Sequence, residues 1–347
     1  MPRVIGIDPG TVSIDLLGLA DGQVWLDRSL PTSRALADPD VLLSQLVEGG
    51  TPELIAGPSG YGLPLVPGER LTDTDLRLAL LAAEGDAGGI GGLRRLLRAL
   101  ADSGLPVVFT PGVIHLPSVP SHRKLNRVDL GTADKVAAAA LAMRDQADRL
   151  RLPASATSFF LLELGGAFTA ALAVEQGQVV DGVGGTSGPI GWQAGGAWDG
   201  EVAFLAGTVT KAMLFQGGRA GPHADPDGDM VGLEAWLEGA HKAALALMAA
   251  VPEPREIFLS GRHAAEPEVH SRLVPRLSAI APVRDLAGFA AVAKQGAQGA
   301  ALLADGLAEG RHRDLVDALR LREAGGTALD YLKVISPAEA RRRLGIT

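Results

Sequence analysis

One pattern of three short apolar strands joined by tight turns occurs twice in this sequence, at the N-terminus and near the middle of the chain. The predicted strands cover 4–8, 13–20 and 23–26 in the first copy, and 159–163, 169–174 and 178–180 in the second. The copies align without a gap, and the matched residues are Asp8 with Glu163, Gly10 with Gly165, and Gly22 with Gly177. Any two strand meanders of similar length share some features, but here an acid and two glycine turns keep register. The repeat therefore predicts two related halves.

Alternating helices and strands follow each copy of the repeat. After the first copy we predict helices near 38–48, 92–103 and 132–151, and strands at 53–58 and 106–110. After the second copy we predict helices near 231–250, 266–279 and 290–309, and strands at 256–260 and 282–285. A meander that continues into β-α units gives a mixed sheet with helices on both faces. Because 347 residues exceed the usual size of one core, we predict an α/β protein of two domains, 1–152 and 153–347, that face each other across a cleft.

The composition excludes several classes of function. The formal net charge is −8, which argues against a general nucleic-acid or anionic-membrane surface. The sequence has no cysteine, so disulfides, thiolate nucleophiles and cysteine-held zinc or iron–sulfur centres are excluded. The first residues lack the pattern of a signal peptide, and no charge-free apolar stretch of about 20 residues occurs. We expect a cytoplasmic protein, and the alanine-rich helices leave open whether they form core or the surface of a homodimer.

The acid–glycine turns of the repeat have the composition of phosphate-binding loops. Gly10 allows backbone N–H groups to approach a phosphate, the Thr11 hydroxyl adds a donor, and Asp8 is suited to hold Mg²⁺ through water. The matching residues of the second copy are Glu163, Gly165 and Gly166. One such turn alone is more typical of an ordinary β-turn. Two turns in register predict that the chain holds the phosphates of a nucleotide from both sides, with Asp8 and Glu163 organising Mg²⁺.

A third glycine turn follows the buried strand predicted at 256–260, where Gly261 and Arg262 precede a helix. The order of an acid–glycine turn, a second acid–glycine turn and a late strand–glycine turn resembles the ASKHA superfamily, which comprises acetate and sugar kinases, Hsp70 and actin. Asp181-Gly182 followed by Gly188-Pro189-Ile190 is similar to a stretch of butyrate kinases. As a whole, the sequence resembles the largely archaeal family of predicted butyrate kinases.

This resemblance implies two duplicated ribonuclease H-like domains of the actin-like ATPase type around a nucleotide cleft, with ATP and Mg²⁺ as cofactors. It assigns phosphate contacts to both glycine turns, and nucleoside contacts to Gly261 and Arg262. The sequence also departs from the family pattern. Glu163 stands where the family carries aspartate, Ala167 and Arg262 stand where it carries glycine, and the complete histidine and arginine set of acetate kinases is missing.

Two segments of the first half have the composition of an acceptor site. The loop 57–64 offers the hydroxyls of Ser59 and Tyr61, although a rigid loop whose tyrosine caps the core is an equal alternative. The second segment is a basic run, 121–127, whose charges are suited to neutralise a carboxylate acceptor or the transferring phosphoryl group. Its predicted catalytic residues are Arg123 and Arg127, and its predicted substrate contacts are His122, Lys124 and Asn126. The alternative for this run is a solvated loop.

Asp134 lies at the start of a long alanine-rich helix, two residues after Thr132. Thr132 is suited to cap that helix, and a carboxylate is favoured near its positive end. The segment also resembles the Gly-Ala-Asp-Arg motif of type III pantothenate kinases, which implies that Asp134 is the general base if the acceptor is an alcohol. A carboxylate acceptor needs no base. Asp129 and Asp181 are further candidates.

These features predict an ATP- and Mg²⁺-dependent small-molecule kinase whose acceptor is a short carboxylic acid or, as a second choice, a small alcohol. Closure of the two domains would exclude water from the reaction. The unusual Glu163 and Arg262 favour an alternative, a nucleotide-binding sensor or partner-regulated ATPase without transferase activity. A hydrolase that uses Asp134 or Asp181 is a third class, but it leaves the repeat unexplained. Segment 225–229 resembles half of a calcium loop, yet Pro226 interrupts the pattern, so we predict a surface loop.

Overall fold

The computed structural model describes residues 2–83, 92–220 and 230–346. The predicted surface loop 225–229 lies outside these described residues. The strands in the described ranges are β1 (Arg3–Pro9), β2 (Ser13–Ala20), β3 (Gln23–Pro31), β4 (Leu54–Gly57), β5 (Val66–Pro67), β6 (Val107–Phe109), β7 (Phe159–Leu164), β8 (Thr169–Glu175), β9 (Gln178–Val183), β10 (Ile257–Ser260) and β11 (Val283–Asp285).

The helices of the same ranges alternate with these strands. They are α1 (Thr32–Ala37), α2 (Pro39–Leu46), α3 (Asp73–Leu80), α4 (Leu93–Asp102), α5 (Ser121–Lys124), α6 (Ala133–Leu150), α7 (Gly200–Ala206), α8 (Met230–Leu247), α9 (Pro267–Leu277), α10 (Gln295–Leu307), α11 (Arg313–Ala318) and α12 (Pro337–Arg343). The helices and strands predicted after each copy of the repeat are all present, within a few residues of the predicted ends. Helices α1, α3, α5, α7 and α11 were not predicted. No helix in the described ranges is long and apolar enough to cross a membrane.

The strands form two mixed sheets of closely similar topology. The first has the strand order β3-β2-β1-β4-β6-β5, and the second has the order β11-β10-β7-β8-β9. In each sheet a three-stranded antiparallel meander, β1–β3 or β7–β9, pairs in parallel with later strands through its first member. This is the arrangement that the sequence repeat predicts for the two halves.

The match between the two meanders extends to backbone irregularities. A bulge interrupts the pairing of β2 with β3 between Gly18 and Leu19, and another interrupts the pairing of β8 with β9 between Ala173 and Val174. These are equivalent positions of the repeat. The hairpin turns also share their left-handed conformation, because φ is 52° at Asp21 and 50° at the equivalent Gln176. Two meanders related only by length would not share a bulge and a turn type at matched positions.

Helix α10 belongs to the second half of the sequence but packs on the first sheet. A Cβ added to Gly6 of β1 would collide with the backbone of α10, and one added to Gly299 of α10 would collide with the backbone of α6. Glycine at these two positions therefore lets a strand and two helices approach closely. The alanines of α6 from Ala133 to Ala142 are buried in the core at this crossing. The boundary at 152/153 stays a prediction, as does the homodimer.

Candidate active site

A cavity of about 730 Å³ lies between the two sheets and is lined by both halves of the repeat. Its walls include the turn after β1, the turn after β7, the turn after β10, and the first residues of α6 and α10. The predicted site residues that line it are Asp8, Gly10, Thr11, Ser59, Tyr61, Asp134, Glu163, Gly165, Gly166, Gly261 and Arg262. The fold thus gathers residues that are far apart in the sequence into one site.

The two glycine turns face each other across this cavity. A Cβ built on Gly166 would lie 3.5 Å from Oγ1 of Thr11, so the first turn almost touches the second. Each first glycine uses its own N–H inside its turn, because Gly10 donates to the Ser13 carbonyl and Gly165 donates to the Phe168 carbonyl, both at 2.9 Å. Within the described residues, the backbone N–H groups of Thr11 and Gly166 donate to no acceptor. The amides without an acceptor therefore belong to Thr11 and Gly166, which the sequence analysis predicts as phosphate contacts.

Asp8 is a buried carboxylate at the end of β1. Its side chain is 11% exposed, and Nζ of Lys294 lies 3.9 Å from its Oδ2. Burial raises the pKa of Asp8 to about 7; the Lys294 charge opposes this rise, and the Asp134 carboxylate adds to it. A Cβ on Gly296 in the first turn of α10 would lie 2.7 Å from Asp8 Oδ2, so only glycine leaves room for this carboxylate. The cavity thus contains a carboxyl group whose pKa lies well above its ordinary value.

Lys294 is a charged residue of the cavity lining that the sequence analysis missed. Its Nζ lies 3.4 Å from Oδ2 of Asp15, a carboxylate with no solvent exposure, and it donates to the Ser13 carbonyl at 3.2 Å. Asp15 is further held by the Ser29 hydroxyl at 2.6 Å and by the Lys294 backbone N–H at 3.1 Å. These contacts fix a positive charge against the first glycine turn, where the Lys294 ammonium contacts the position of a Cβ on Gly10.

Asp134, Lys135 and Glu163 form a second charged cluster in the lining of the cavity. Nζ of Lys135 donates to Oδ2 of Asp134 at 2.5 Å and to Oε1 of Glu163 at 2.8 Å. The Thr132 hydroxyl, at the N-cap position of α6, donates to the other oxygen of Asp134. Burial works to raise the pKa of Asp134, but the Lys135 charge and these hydrogen bonds outweigh it and hold the pKa below its usual value.

The third turn packs directly on the second. Gly261 follows β10 with φ of +92°, and a Cβ at this position would lie 2.5 Å from the Leu164 carbonyl and 3.0 Å from Cγ of Glu163. The next residue, Arg262, lines the cavity, and its Cδ lies 3.9 Å from the position of a Cβ on Gly166. The sequence prediction that Gly261 marks a special backbone position agrees with this conformation.

Replacing Gly261 by alanine is expected to lower the free energy of unfolding by about 3 kcal/mol, because left-handed strain and a backbone collision add. Two controls separate these causes, as measured by urea denaturation. Gly104→Ala keeps only the strain, with φ of +71° and open space, and should cost about 1 kcal/mol. Gly200→Ala has open space and no positive φ, and should change little. Equal losses at Gly261 and Gly104 would contradict the close packing of the third turn on the second.

Tyr61 and Asp129 line another part of the wall. Asp129 is buried, and its Oδ2 accepts from the Thr186 N–H and hydroxyl, both at 2.9 Å. Burial raises the pKa of Tyr61, and the Asp129 charge adds to the rise. Nζ of Lys211, a residue that the sequence analysis missed, lies 5.1 Å from the centre of the Tyr61 ring. Ser59 also lines the cavity, but its hydroxyl is buried and donates to the Thr110 carbonyl at 2.5 Å.

The basic run lies outside the cavity lining, which corrects the expected position of its members His122, Arg123, Lys124, Asn126 and Arg127. Lys124 is buried and donates to the Leu116 carbonyl at 2.9 Å, and burial lowers its pKa. Arg123 donates to the Val180 carbonyl at 2.7 Å and lies 3.7 Å from Oδ2 of Asp181. Oδ1 of Asn126 accepts from the backbone N–H of Lys333 at 2.7 Å. The run therefore connects α5 to β9 and to the C-terminal chain, and Asp181 is likewise absent from the lining.

The carboxylates of the cavity differ in their suitability for Mg²⁺. Within the described residues there is no group of three or more histidine and carboxylate ligands that could hold a metal ion. The Asp8 carboxylate accepts no hydrogen bond from the described residues, whereas Glu163 is already paired with Lys135. Mg²⁺ that is held by one carboxylate, by waters and by substrate phosphates fits Asp8.

Solved structures of the same fold come from short-chain acid kinases. The propionate kinase from Francisella tularensis subsp. tularensis SCHU S4 superposes with a TM-score of 0.60 at 12% identity, over 86% of this chain and 99% of that one. The acetate kinase from Porphyromonas gingivalis gives 0.57 at 11% identity over 86% and 98%. The acetate kinase from Entamoeba histolytica gives 0.57 at 8% identity over 80% and 86%. The predicted fold class is confirmed: the protein has the actin-like ATPase fold of two related mixed sheets with flanking helices.

The sequence itself defines the family. A family model described as "Protein of unknown function (DUF1464)" matches residues 6–334, and the chain belongs to that family. No curated protein matches the chain. The resemblance to an ASKHA protein therefore holds at the level of the fold, while the narrower resemblance to butyrate kinases stays a prediction.

Proposed function

We propose that this protein is an ATP- and Mg²⁺-dependent kinase of a small molecule, with a short carboxylic acid as acceptor. The observation that carries the proposal is the pair of glycine turns, one from each half, that face each other with Thr11 Oγ1 at 3.5 Å from the Cβ position of Gly166. Amides of Thr11 and Gly166 that have no acceptor in the described residues are suited to the phosphates of a nucleotide. The fold shared with acetate and propionate kinases supports the same class of reaction.

Two cations support phosphoryl transfer at this site. Lys294 lies against the first glycine turn and Arg262 lies beside the second turn, so negative charge that spreads over a transferring phosphoryl group would meet positive charge from both turns. Asp8 would hold Mg²⁺, whose chemical contribution is to neutralise phosphate oxygens. The Gly261 and Arg262 turn would contact the nucleoside end.

The state of Asp134 favours a carboxylate over an alcohol as acceptor. A general base works best when its pKa lies near the working pH. The Lys135 ammonium and the Thr132 hydroxyl hold the pKa of Asp134 below its usual value despite burial, and they engage both of its oxygens. A carboxylate acceptor is already ionised at neutral pH and needs no proton removed. An alcohol acceptor remains the second candidate because Asp134 lines the cavity.

The test is a hydroxylamine trap for the product. The purified protein would be incubated with ATP, Mg²⁺ and a panel of short carboxylic acids or small alcohols, followed by measurement of ADP. Acyl phosphates react with hydroxylamine to give hydroxamates, whereas phosphate esters of alcohols do not. We expect ADP and hydroxamate formation with an acid. ADP without hydroxamate on addition of an alcohol would favour the second candidate. Tight ATP binding without turnover across both panels would contradict kinase activity and favour a nucleotide sensor.

A further inference from the structure

Glu163, the acidic residue at the second glycine turn, forms an ion pair with Lys135. Nζ of Lys135 donates to Oε1 of Glu163 at 2.8 Å and to Oδ2 of Asp134 at 2.5 Å. The three side chains are only 15% to 27% exposed. One ammonium group thus bridges α6 of the first half to the end of β7 in the second half.

We propose that Lys135 takes the place of a metal ion at the second turn, and that Mg²⁺ is held from the first turn by Asp8 alone. The Lys135 ammonium is then the fixed cation that neutralises Glu163 and Asp134 on that wall of the cavity. This makes Lys135 a positioning residue and removes Glu163 from the metal ligands predicted from the sequence. The part of the inference that concerns ATP rests on the proposed function.

The two glycine turns differ in the space that they leave for a metal ion beside their acidic residues. Mg²⁺ requires near-octahedral oxygen ligands at about 2.0–2.1 Å, but the ammonium of Lys135 already lies in hydrogen-bond contact with both carboxylates where such an ion would sit. The other oxygen of Asp134 accepts from the Thr132 hydroxyl. At the first turn the nearest cation, Lys294 Nζ, is 3.9 Å from Asp8 Oδ2, which is too long for a hydrogen bond.

The electrostatics keep Lys135 charged. Burial alone would lower the pKa of this lysine, but the Asp134 and Glu163 carboxylates and their hydrogen bonds raise it above its usual value. A buried ammonium that is paired with two carboxylates does not lose its proton in the physiological range. The cluster consequently carries one net negative charge, compared with two for the carboxylates alone, without any bound metal.

A thermal-denaturation series on nucleotide-free protein tests this assignment. In Lys135→Ala the space between the two carboxylates opens, so Mn²⁺, a probe with the same ligand preference as Mg²⁺, should raise the melting temperature at concentrations about tenfold lower than in wild type. The double variant Lys135→Ala/Glu163→Gln should lose that gain. Failure of Mn²⁺ to act more strongly on Lys135→Ala than on wild type would overturn the proposal.

A single variant keeps the test decisive if Lys135→Ala does not fold. Glu163→Gln retains the pair between Lys135 and Asp134, and Mn²⁺ should raise its melting temperature as it does that of wild type. A Mn²⁺ effect in wild type that disappears in Glu163→Gln would make Glu163 a metal ligand and overturn the proposal. Neither measurement depends on activity.

Calorimetric titration of ATP with and without Mg²⁺ then separates this inference from the proposed function. We expect Glu163→Gln to keep the Mg²⁺-dependent gain in ATP affinity within about twofold, and Asp8→Asn to lose at least about tenfold. Loss of the gain in Glu163→Gln would overturn the inference while leaving the nucleotide site intact. If wild type binds no ATP, the proposed function fails, and the melting series without nucleotide still decides the role of Lys135.

Discussion

Replacing Asp8 by asparagine is expected to stabilise the ligand-free protein and at the same time to abolish its Mg²⁺-dependent ATP binding. Asp8 is buried, with 8% of the whole residue exposed, and burial raises its pKa to about 7. The Lys294 charge opposes this rise and the Asp134 charge adds to it. At neutral pH the folded protein therefore carries a partly ionised carboxylate at a cost. Asparagine removes that cost together with the metal ligand.

The stabilisation expected for Asp8→Asn should increase with pH. The folded-state pKa of Asp8 lies above its ordinary value of 3.8, so the stability that the protonated carboxyl contributes is complete below about pH 4 and is lost as the pH rises toward 7. One pKa unit corresponds to about 1.4 kcal/mol, which sets an upper limit of ~4 kcal/mol for the gain of Asp8→Asn above pH 7. Urea denaturation at about pH 4.5 and pH 8, without nucleotide, measures it.

Asp181→Asn is the matched control for this prediction. Burial also raises the pKa of Asp181, against the Gly182 N–H and the charge of Arg123, but this carboxylate does not line the cavity. Its replacement should shift stability in the same direction with pH and leave ATP binding unchanged. Identical pH slopes for wild type and Asp8→Asn would refute the raised pKa of Asp8. Retained Mg²⁺-dependent ATP binding in Asp8→Asn would refute its role as metal ligand.

The parts of the site that could be predicted are those that repeat. Asp8 and Glu163, with the glycines that follow them, keep register across two copies, and the backbone repeats the bulge and the left-handed turn at equivalent positions. A turn that requires glycine leaves a local signal in the sequence. Gly261 is a weaker local signal, because many strands end in glycine before a helix, and it could be singled out only from its position after the second meander and one helix.

The cations of the site could not be predicted because tertiary packing brings them there. Lys294 precedes α10 without any local motif, and it reaches Asp15 only because α10 crosses the first sheet. Lys135 was visible next to Asp134, but its second partner Glu163 depends on how α6 meets the end of β7. Lys211 is likewise placed by the folding of the chain after α7.

The basic run 121–127 was predicted to bind the acceptor because of its clustered charges, but its members make contacts that hold the fold together. Charge clustering does not reveal that the Lys124 ammonium is buried against a carbonyl, or that Asn126 binds the backbone of the C-terminal chain.

Helix α3 was not predicted, although the sequence contains a signal for its N-terminus. Thr72 and Asp75 form a capping box, in which each side chain accepts from the other residue's backbone N–H. That pattern could have been found from the sequence.

Replacing Lys294 by methionine is expected to lower both the free energy of unfolding and the affinity for ATP. The Asp15 carboxylate has no solvent exposure, so removal of its ammonium partner leaves a buried charge that is stabilised by the Ser29 hydroxyl and one backbone N–H. Breaking a fully buried ion pair costs about 3–5 kcal/mol. Because the Lys294 side chain is 38% exposed and solvent screens it, we expect a loss of about 2 kcal/mol in urea denaturation.

The same ammonium group opposes the rise in the pKa of Asp8, so its removal should move the pH dependence of stability further toward alkaline pH. The double variant Lys294→Met/Asp15→Asn separates the structural and the binding roles of Lys294. Asparagine at this position can accept from the Lys294 backbone N–H through its amide oxygen and donate from its amide nitrogen to the Ser29 hydroxyl oxygen. It carries no charge, so stability should recover. ATP affinity should not recover, because the cation beside the first glycine turn is still missing. Recovery of both properties in the double variant would limit Lys294 to neutralising Asp15, and loss of neither in Lys294→Met would contradict the ion pair itself.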